Sequence, residues 1–201
     1  AKALQNIDQI RKGPIDYGTF NPDYDFVPRK PQIVTNFKAP NTIMGRCPCP
    51  DESMFLRCCN LKTLDAIQQC GFACAYCSIQ SFYSNNQIKV ISDLKEKLKT
   101  LKPDSSIWHI GTGQSSDSLL LADDYGTLSA LFDFARRNPQ IVIELKSKCA
   151  RTDWLELDIP ANVISTWSLN ADTVVRKEEH GAASLKARIE AAAKCAEKGH
   201  L

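Results

Sequence analysis

At 201 residues the chain is long enough for one sizeable core, or at most two small domains. A hydrophobic content of 43%, 24% charged residues and a net charge of +2 describe an ordinary globular protein, and a near-balanced total neither demands nor excludes a local basic groove for nucleic acid. No apolar run approaches the ~18 residues of a membrane span, and no signal-peptide pattern opens the chain. Nine cysteines, an odd number with Cys58 and Cys59 adjacent, suit a reducing cytoplasm and thiolate ligands better than a disulfide scaffold.

In chain order, residues 1–60 are punctuated by Pro14, Pro22, Pro28, Pro31, Pro40, Pro48 and Pro50. Long helices are excluded there, and an irregular segment wrapped on the core is expected. From residue 61 to 201 strands and helices alternate. A strand over residues 63–69 leads into the loop CGFACAYCSIQ. Ser92 can cap a helix over 93–102 whose first turn holds Asp93. Residues 107–111 form a short apolar strand. Thr127 can cap a helix in which Leu128, Leu131, Phe132 and Ala135 make one apolar stripe. Residues 140–145 (QIVIEL) and 163–169 (VISTWSL) are strands, joined by a crossover that is irregular or briefly helical around 154–157. The last helix starts at Ser184, carries Leu185, Ile189, Ala192, Ala193 and Ala196 as its apolar stripe, and stops at Gly199.

Such alternation predicts an α/β fold with parallel strands and crossovers. Four strands are expected in the repeat. Parallel sheets need both faces covered, and the pattern stops where a fifth strand should begin, so the expectation is part of a (β/α) TIM-like barrel from a longer protein.

The cysteine loop carries the most chemical information. Cys70, Cys74 and Cys77 stand in a C-x3-C-x2-C run, short enough to turn three sulfurs to one point. A zinc site normally adds a fourth Cys or His at matching spacing, whereas iron–sulfur clusters are held by thiolates in such runs. A cluster is therefore favoured over zinc or inert buried thiols. Three ligands on a four-iron cluster would leave one iron open, the mark of a reactive metal site.

A cluster loop after the first strand of a β/α repeat resembles the radical S-adenosylmethionine (SAM) enzymes. The segments CPCPDESMFLRCCNLKTLDAIQQCGFACAYCSIQSFYSNN, GTGQSSDSLLL and STWSLNADTVVRKEEHGAASLKARIEAAAKCAEKGH are similar, in order, to the cluster loop, second strand and fourth strand of the spore photoproduct lyase family. The resemblance runs from about residue 45 onward. It implies a radical SAM partial barrel with a [4Fe-4S] cluster on Cys70, Cys74 and Cys77. It further implies SAM contacts from Ser116, Lys146, Ser168 and Asn170, and a catalytic Tyr76. One-electron cleavage of SAM would yield a 5′-deoxyadenosyl radical that abstracts hydrogen from the substrate. In such a DNA-repair lyase the substrate is a thymine photoproduct in DNA, the partner a one-electron reductant such as flavodoxin or ferredoxin, and the setting cytoplasmic. By the same likeness Ser116 and Asp117 follow the second strand, Lys146 closes the third, and Ser168 and Asn170 close the fourth, where barrel sites lie.

Two positions depart from the family's pattern. Gln114 stands where the DNA lyases have a hydrogen-donating cysteine, and Ser78 stands where a tyrosine usually follows the last cluster cysteine. An amide cannot do thiol chemistry, so a relative acting on another molecule is the alternative. A second alternative is a non-catalytic, metal-stabilised nucleic-acid-binding module.

Other residues have plainer readings. Cys47, Cys49, Cys58 and Cys59 match no zinc spacing and read more simply as small core residues than as a second metal site. Cys149 and Cys195 read as structural. His109 is expected to be a satisfied core histidine, and His180 and His200 surface residues. Glu179 and Arg188 can pair to pin the loop before the last helix. Lys95, Lys97, Lys99 and Lys102 spread around their helix and read as a solvated face.

Overall fold

The computed structural model describes residues 33–38, 42–46, 61–82 and 87–200. Its strands are β1 (Ile33–Phe37), β2 (Met44–Arg46), β3 (Lys62–Leu64), β4 (Ile67–Gln68), β5 (Gln87–Ile91), β6 (His109–Thr112), β7 (Val142–Ser147) and β8 (Val163–Trp167). The helices are α1 (Ile79–Phe82), α2 (Leu94–Thr100), α3 (Thr127–Arg137), α4 (Asp172–Glu178) and α5 (Leu185–Glu197). A 3-10 turn, Asp153–Glu156, fills the crossover between β7 and β8. Among the described residues no helix is long and apolar enough to cross a membrane.

The main sheet has the order β2-β3-β6-β7-β8. Strands β3, β6, β7 and β8 run parallel, and β2 adds antiparallel to β3. These four parallel strands are the ones expected from the alternation. A right-handed crossover between parallel neighbours must carry a helix or comparable cover, and α3 supplies it after β6. Leu128, Leu131, Phe132 and Ala135 are buried as their spacing predicted, and Phe134 joins them. They share one apolar core with Ile110 of β6, Ile143 and Leu145 of β7, and Leu94 and Leu98 of α2. Trp154 from the 3-10 turn completes that core, its indole N–H donating to the Arg151 carbonyl at 3.0 Å.

Several expectations are corrected. The strand over 63–69 is broken: β3 ends at Leu64, and β4 leaves the main sheet to pair antiparallel with β5. The Ala66 carbonyl accepts from the Ile91 N–H at 3.2 Å where the chain changes sheets. An apolar run looks the same whether it stays in one sheet or crosses to another. Within residues 1–60, β1 and β2 are strands; β1 pairs parallel with β5 to make a three-stranded sheet, β1-β5-β4. Cys47, Cys49, Cys58 and Cys59 lie outside the described residues.

The caps also differ. Ser92 does not cap α2, because its hydroxyl donates to the Phe37 carbonyl of β1 at 3.1 Å, and Asp93 takes the N-cap position. Thr127 is the first residue of α3, behind Gly126 at φ +69°, and Asp123 reaches forward to accept from the Ser129 N–H at 2.9 Å. Ser184 caps α5 as expected, accepting from the Ala187 N–H at 3.2 Å, and Gly199 ends it at φ +80°. The face of α5 is another matter. It buries Arg188, Ala191 and Cys195, while Ile189 is 51% exposed and Ala193 and Ala196 face solvent. A buried ion pair on Arg188, described below, sets the helix rotation in place of the apolar stripe.

Candidate functional site

The C-terminal ends of the parallel strands converge on a cleft of about 170 Å³. Cys70, Cys74 and Cys77 form one wall, Gly113 and Ser116 arrive from the end of β6, Lys146 and Lys148 from β7, and Ser168 from β8. Barrel-type folds collect their reactive groups at this end because the strand–helix loops open there.

Local backbone geometry builds the cysteine wall. Gln69 adopts φ +69° and donates its N–H to the Ser115 carbonyl at 2.9 Å, turning the chain out of β4. Ala73 lies at φ +48°, and the Cys77 N–H closes a turn on the Cys74 carbonyl at 3.0 Å. The loop is then stitched to the α4–α5 connection. The Ala75 N–H donates to the Glu178 carbonyl at 2.7 Å, Cys74 bridges antiparallel to Glu179, and the Gly181 N–H donates to the Phe72 carbonyl at 2.8 Å. A side chain at Gly181 would crowd this junction, since a Cβ there would stand 3.0 Å from Phe72 Cα and O.

None of the three cysteines is in a disulfide. Burial pushes the Cys70 thiol up to about 12, against the pull of the Phe72 N–H, and burial followed by the Glu179 charge raises Cys74. Metal binding at such thiols must therefore displace protons. Among the described residues no set of three or more His, Cys, Asp or Glu is arranged to hold a single metal ion. Thiols alone, three on one loop and facing a cleft that also presents polar side chains, are the donor set of iron–sulfur clusters. A zinc site would normally draw a fourth Cys or His, whereas three thiols on one loop fit such a cluster with one iron left open.

The other expected site residues are placed as follows. Ser116 lines the cleft, its hydroxyl donating to the Gln69 carbonyl at 2.8 Å, so toward a ligand it acts as an acceptor. Lys146 lines the cleft with its side chain 42% exposed and its Nζ 3.6 Å from Glu144 Oε2. Ser168 lines it too, its N–H held by the Ser147 carbonyl at 2.9 Å. Tyr76 gives its ring to the cleft and is 54% exposed, but its hydroxyl donates to Glu179. Asn170 is not among the cleft-lining residues. Its Nδ2 donates to Tyr76 Oη at 3.0 Å and to Glu179 Oε1 at 2.7 Å. A carboxylate only accepts, so the amide orientation is decided, and Oδ1 is the atom left to meet a ligand donor such as a hydroxyl.

Beneath this wall lies a buried charge cluster. The Glu179 and Arg188 side chains are both 0% exposed and paired directly, the pairing expected to pin the loop before the last helix. Arg188 also donates to the Ala183 carbonyl and the Ser168 carbonyl, each at 2.8 Å, and Lys148 Nζ stands 3.8 Å from Glu179 Oε1. Burial pushes the Glu179 carboxyl up, but hydrogen bonds from Tyr76, Arg188 and Asn170 outweigh it and hold the group below the usual carboxylate range.

Asp117 has a structural task. Burial raises its carboxyl, yet it accepts from the Lys148 N–H at 2.6 Å, Ser147 Oγ at 2.8 Å and the Leu119 N–H at 3.0 Å. It staples the end of β6 to the end of β7. Gln114 turns its side chain back over β6: Nε2 lies 3.1 Å from where a Cβ on Gly111 would be, and it has no hydrogen-bond partner among the described residues. Neither Gln114 nor Cys149 lines the cleft; the Cys149 sulfur accepts from the Arg151 N–H at 3.4 Å.

Sequence reasoning missed Glu144 and Lys148. Glu144 accepts from Thr166 Oγ1 at 2.8 Å and contacts His109 Nε2 at 3.0 Å, the partner expected for that histidine but not named. The signal was available: Glu144, Lys146 and Lys148 sit at i, i+2, i+4, one face of a strand and its continuation.

No known protein family's sequence profile matches the chain, and no curated protein sequence does. Solved structures do. A spore photoproduct lyase double mutant with bound AdoMet and dinucleoside spore photoproduct matches with a TM-score of 0.62 at 20% identity, over 69% of this chain and 43% of that one. A spore photoproduct lyase complexed with dinucleoside spore photoproduct matches with a TM-score of 0.58 at 21% identity, over 67% of this chain and 42% of that one. The chain thus spans less than half the length of these structures. At these identities the likeness is one of fold, a partial β/α arrangement built on parallel strands.

Proposed function

We propose that the protein is a radical SAM enzyme of the spore photoproduct lyase type. The observation that carries this reading is the convergence of three cysteine thiols, Lys146, Ser116 and Ser168 on one cleft at the strand ends. Cys70, Cys74 and Cys77 would hold a [4Fe-4S] cluster, and SAM would lie across the remaining wall. The chemistry such a pair supplies when bound is one-electron cleavage of SAM to methionine and a 5′-deoxyadenosyl radical that takes hydrogen from the substrate. The protein's residues bind and shield. Lys146 offers a cation to the SAM carboxylate. Ser168 and the Oδ1 of Asn170 suit ribose hydroxyls, and Ser116 offers an acceptor beside the cysteine loop. Phe72 and Ile79 give the cleft an apolar side that excludes water. Tyr76, on the same wall, is the catalytic candidate, and a flavodoxin- or ferredoxin-type reductant would supply the electron in a reducing cytoplasm.

For the substrate, the neighbours bound to dinucleoside spore photoproduct support a pyrimidine lesion in DNA. Gln114 favours a second reading. With an amide at that position, turned toward Gly111 and away from the cleft, a thiol-dependent quench of a thymine radical has no donor there. That second reading is a relative of the same type acting on another, non-DNA molecule.

Anaerobic reconstitution with iron and sulfide, followed by electron paramagnetic resonance of the reduced protein with and without SAM, tests the reading. A four-iron signal that changes shape with SAM, lost in Cys74→Ala together with 5′-deoxyadenosine formation, is the expected result. Retained turnover in Cys74→Ala sinks the cluster assignment. Labelled spore-photoproduct dinucleotide then decides the substrate: clean conversion to two thymidines refutes the second reading, and SAM cleavage without conversion supports it.

A further inference from the structure

Tyr76, which lines the cleft, and Asn170, which stands behind that lining, both spend hydrogen bonds on Glu179, another residue outside it. Glu179 in turn stands on Arg188, and Arg188 is anchored by two backbone carbonyls on either side of α4. The path is continuous: cysteine loop, Tyr76, Glu179, Arg188, α5. It runs beside backbone bonds from Ala75 and Gly181 that join the same two loops. A fully buried carboxylate is costly unless paired and hydrogen-bonded. Here it has an arginine, a phenol and an amide, with Lys148 nearby.

We infer that Glu179 is a positioning residue, the keystone of a latch that holds the cysteine loop in its metal-ready shape through Tyr76 and Asn170. The latch is made from the protein's own groups, so the three thiols share one cleft wall before any metal arrives. It also gives Tyr76 a structural duty that its half-exposed ring alone would not suggest.

Amide hydrogen exchange of the full chain tests the latch, read over residues 70–80 beside the unfolding midpoint. Glu179→Gln strands Arg188 and is at risk of not folding, so Tyr76→Phe and Asn170→Asp are the informative variants. The first deletes the hydroxyl and leaves the ion pair. The second sets an acceptor-only group beside the Glu179 carboxylate. Exchange over 70–80 should rise roughly tenfold or more in both, the size of one hydrogen bond to a charged group, with the Tyr76→Phe midpoint close to that of the unmodified chain. Leu128→Ala, in the distant α3 core, should lower the midpoint and leave this local exchange alone. Unchanged exchange in Tyr76→Phe and Asn170→Asp overturns the latch, as does a rise that only tracks the fall in midpoint.

A metal arm rests on the proposed function. After reconstitution, both variants should match the unmodified chain in iron per chain but release it faster to a chelator, and equal release rates overturn the claim that the latch serves the metal loop. Failure of the unmodified chain to take up iron defeats the functional reading and leaves the exchange result standing.

Discussion

Glu179 and Arg188 show how much one buried pair can decide. Removing Arg188 leaves the buried Glu179 carboxylate with only the more distant Lys148 as a cation, a loss of up to about 3–5 kcal/mol. Arg188→Met should lower unfolding free energy by that amount in a urea titration, and Glu179→Leu/Arg188→Met should recover part of it. Full recovery is not expected, because the Ser168 and Ala183 carbonyls lose their donor as well. Two glycines separate backbone strain from crowding. Gly113 and Gly126 both lie at left-handed φ, +73° and +69°. A Cβ on Gly113 would meet Ser118 N and Oγ at 2.7 Å, whereas around Gly126 nothing lies within 4 Å. Gly126→Ala should cost about 1–2 kcal/mol for the left-handed conformation alone, and Gly113→Ala a further 1–3 kcal/mol or so for overpacking. Equal losses in calorimetry would show that the loop after β6 gives way.

A third residue-scale case carries a pH dependence. Hydrogen bonds from Arg151 hold Asp124 and Asp153 below the usual carboxylate range. Depressed carboxyls add stability above their unfolded pKa, near 4, and lose it as pH falls through the lower folded value. All three groups are largely solvated, so Arg151→Ala should cost under about 1 kcal/mol at neutral pH and nothing once pH is well below that window. At this scale the sequence was readable where a residue type is rare and closely spaced, as with the three cysteines. The Glu144–His109–Thr166 set was not, because its members come from β6, β7 and β8 and meet only when the sheet forms.

Among the elements, α5 is the instructive one. Its apolar residues suggest a stripe through Ile189, yet the chain buries Arg188, Ala191 and Cys195. An alanine-rich helix has little apolar contrast between its faces, so a single ion pair can choose the rotation. Ile189→Lys should therefore stay within about 0.5 kcal/mol of the parent, while Ala191→Leu, at a buried position, should cost about 1–3 kcal/mol by overpacking. Thermal melts giving the reverse order would return the apolar stripe to the core. By contrast, the buried stripe of α3 was legible, though not its cap, because its leucines and phenylalanines leave one face no alternative to burial. The break between β3 and β4 was hidden because Leu64, Ala66 and Ile67 are all buried, and burial does not say in which sheet.

For the molecule as a whole, alternation of strand and helix was enough to order the four parallel strands, since each crossover must return beside the strand it left. The same topology makes the cleft a property of the entire sheet. Its lining comes from segments after β4, β6, β7 and β8, which are separated by long stretches of chain and brought together only in the folded state. A ligand spanning that cleft cannot bind the unfolded chain, so its binding free energy adds to global stability by mass action. With the reconstituted protein, SAM at about 100 times its dissociation constant should contribute about 2.7 kcal/mol, a rise in melting temperature of roughly 5–10 °C for a chain of this size. If Lys146 holds the SAM carboxylate as proposed, Lys146→Met should leave the ligand-free midpoint nearly unchanged and shrink the SAM-induced shift. If SAM shifts both proteins equally, the ligand is held somewhere other than beside β7. If it shifts neither while iron is bound, the cleft does not take SAM and the functional reading fails at its second cofactor.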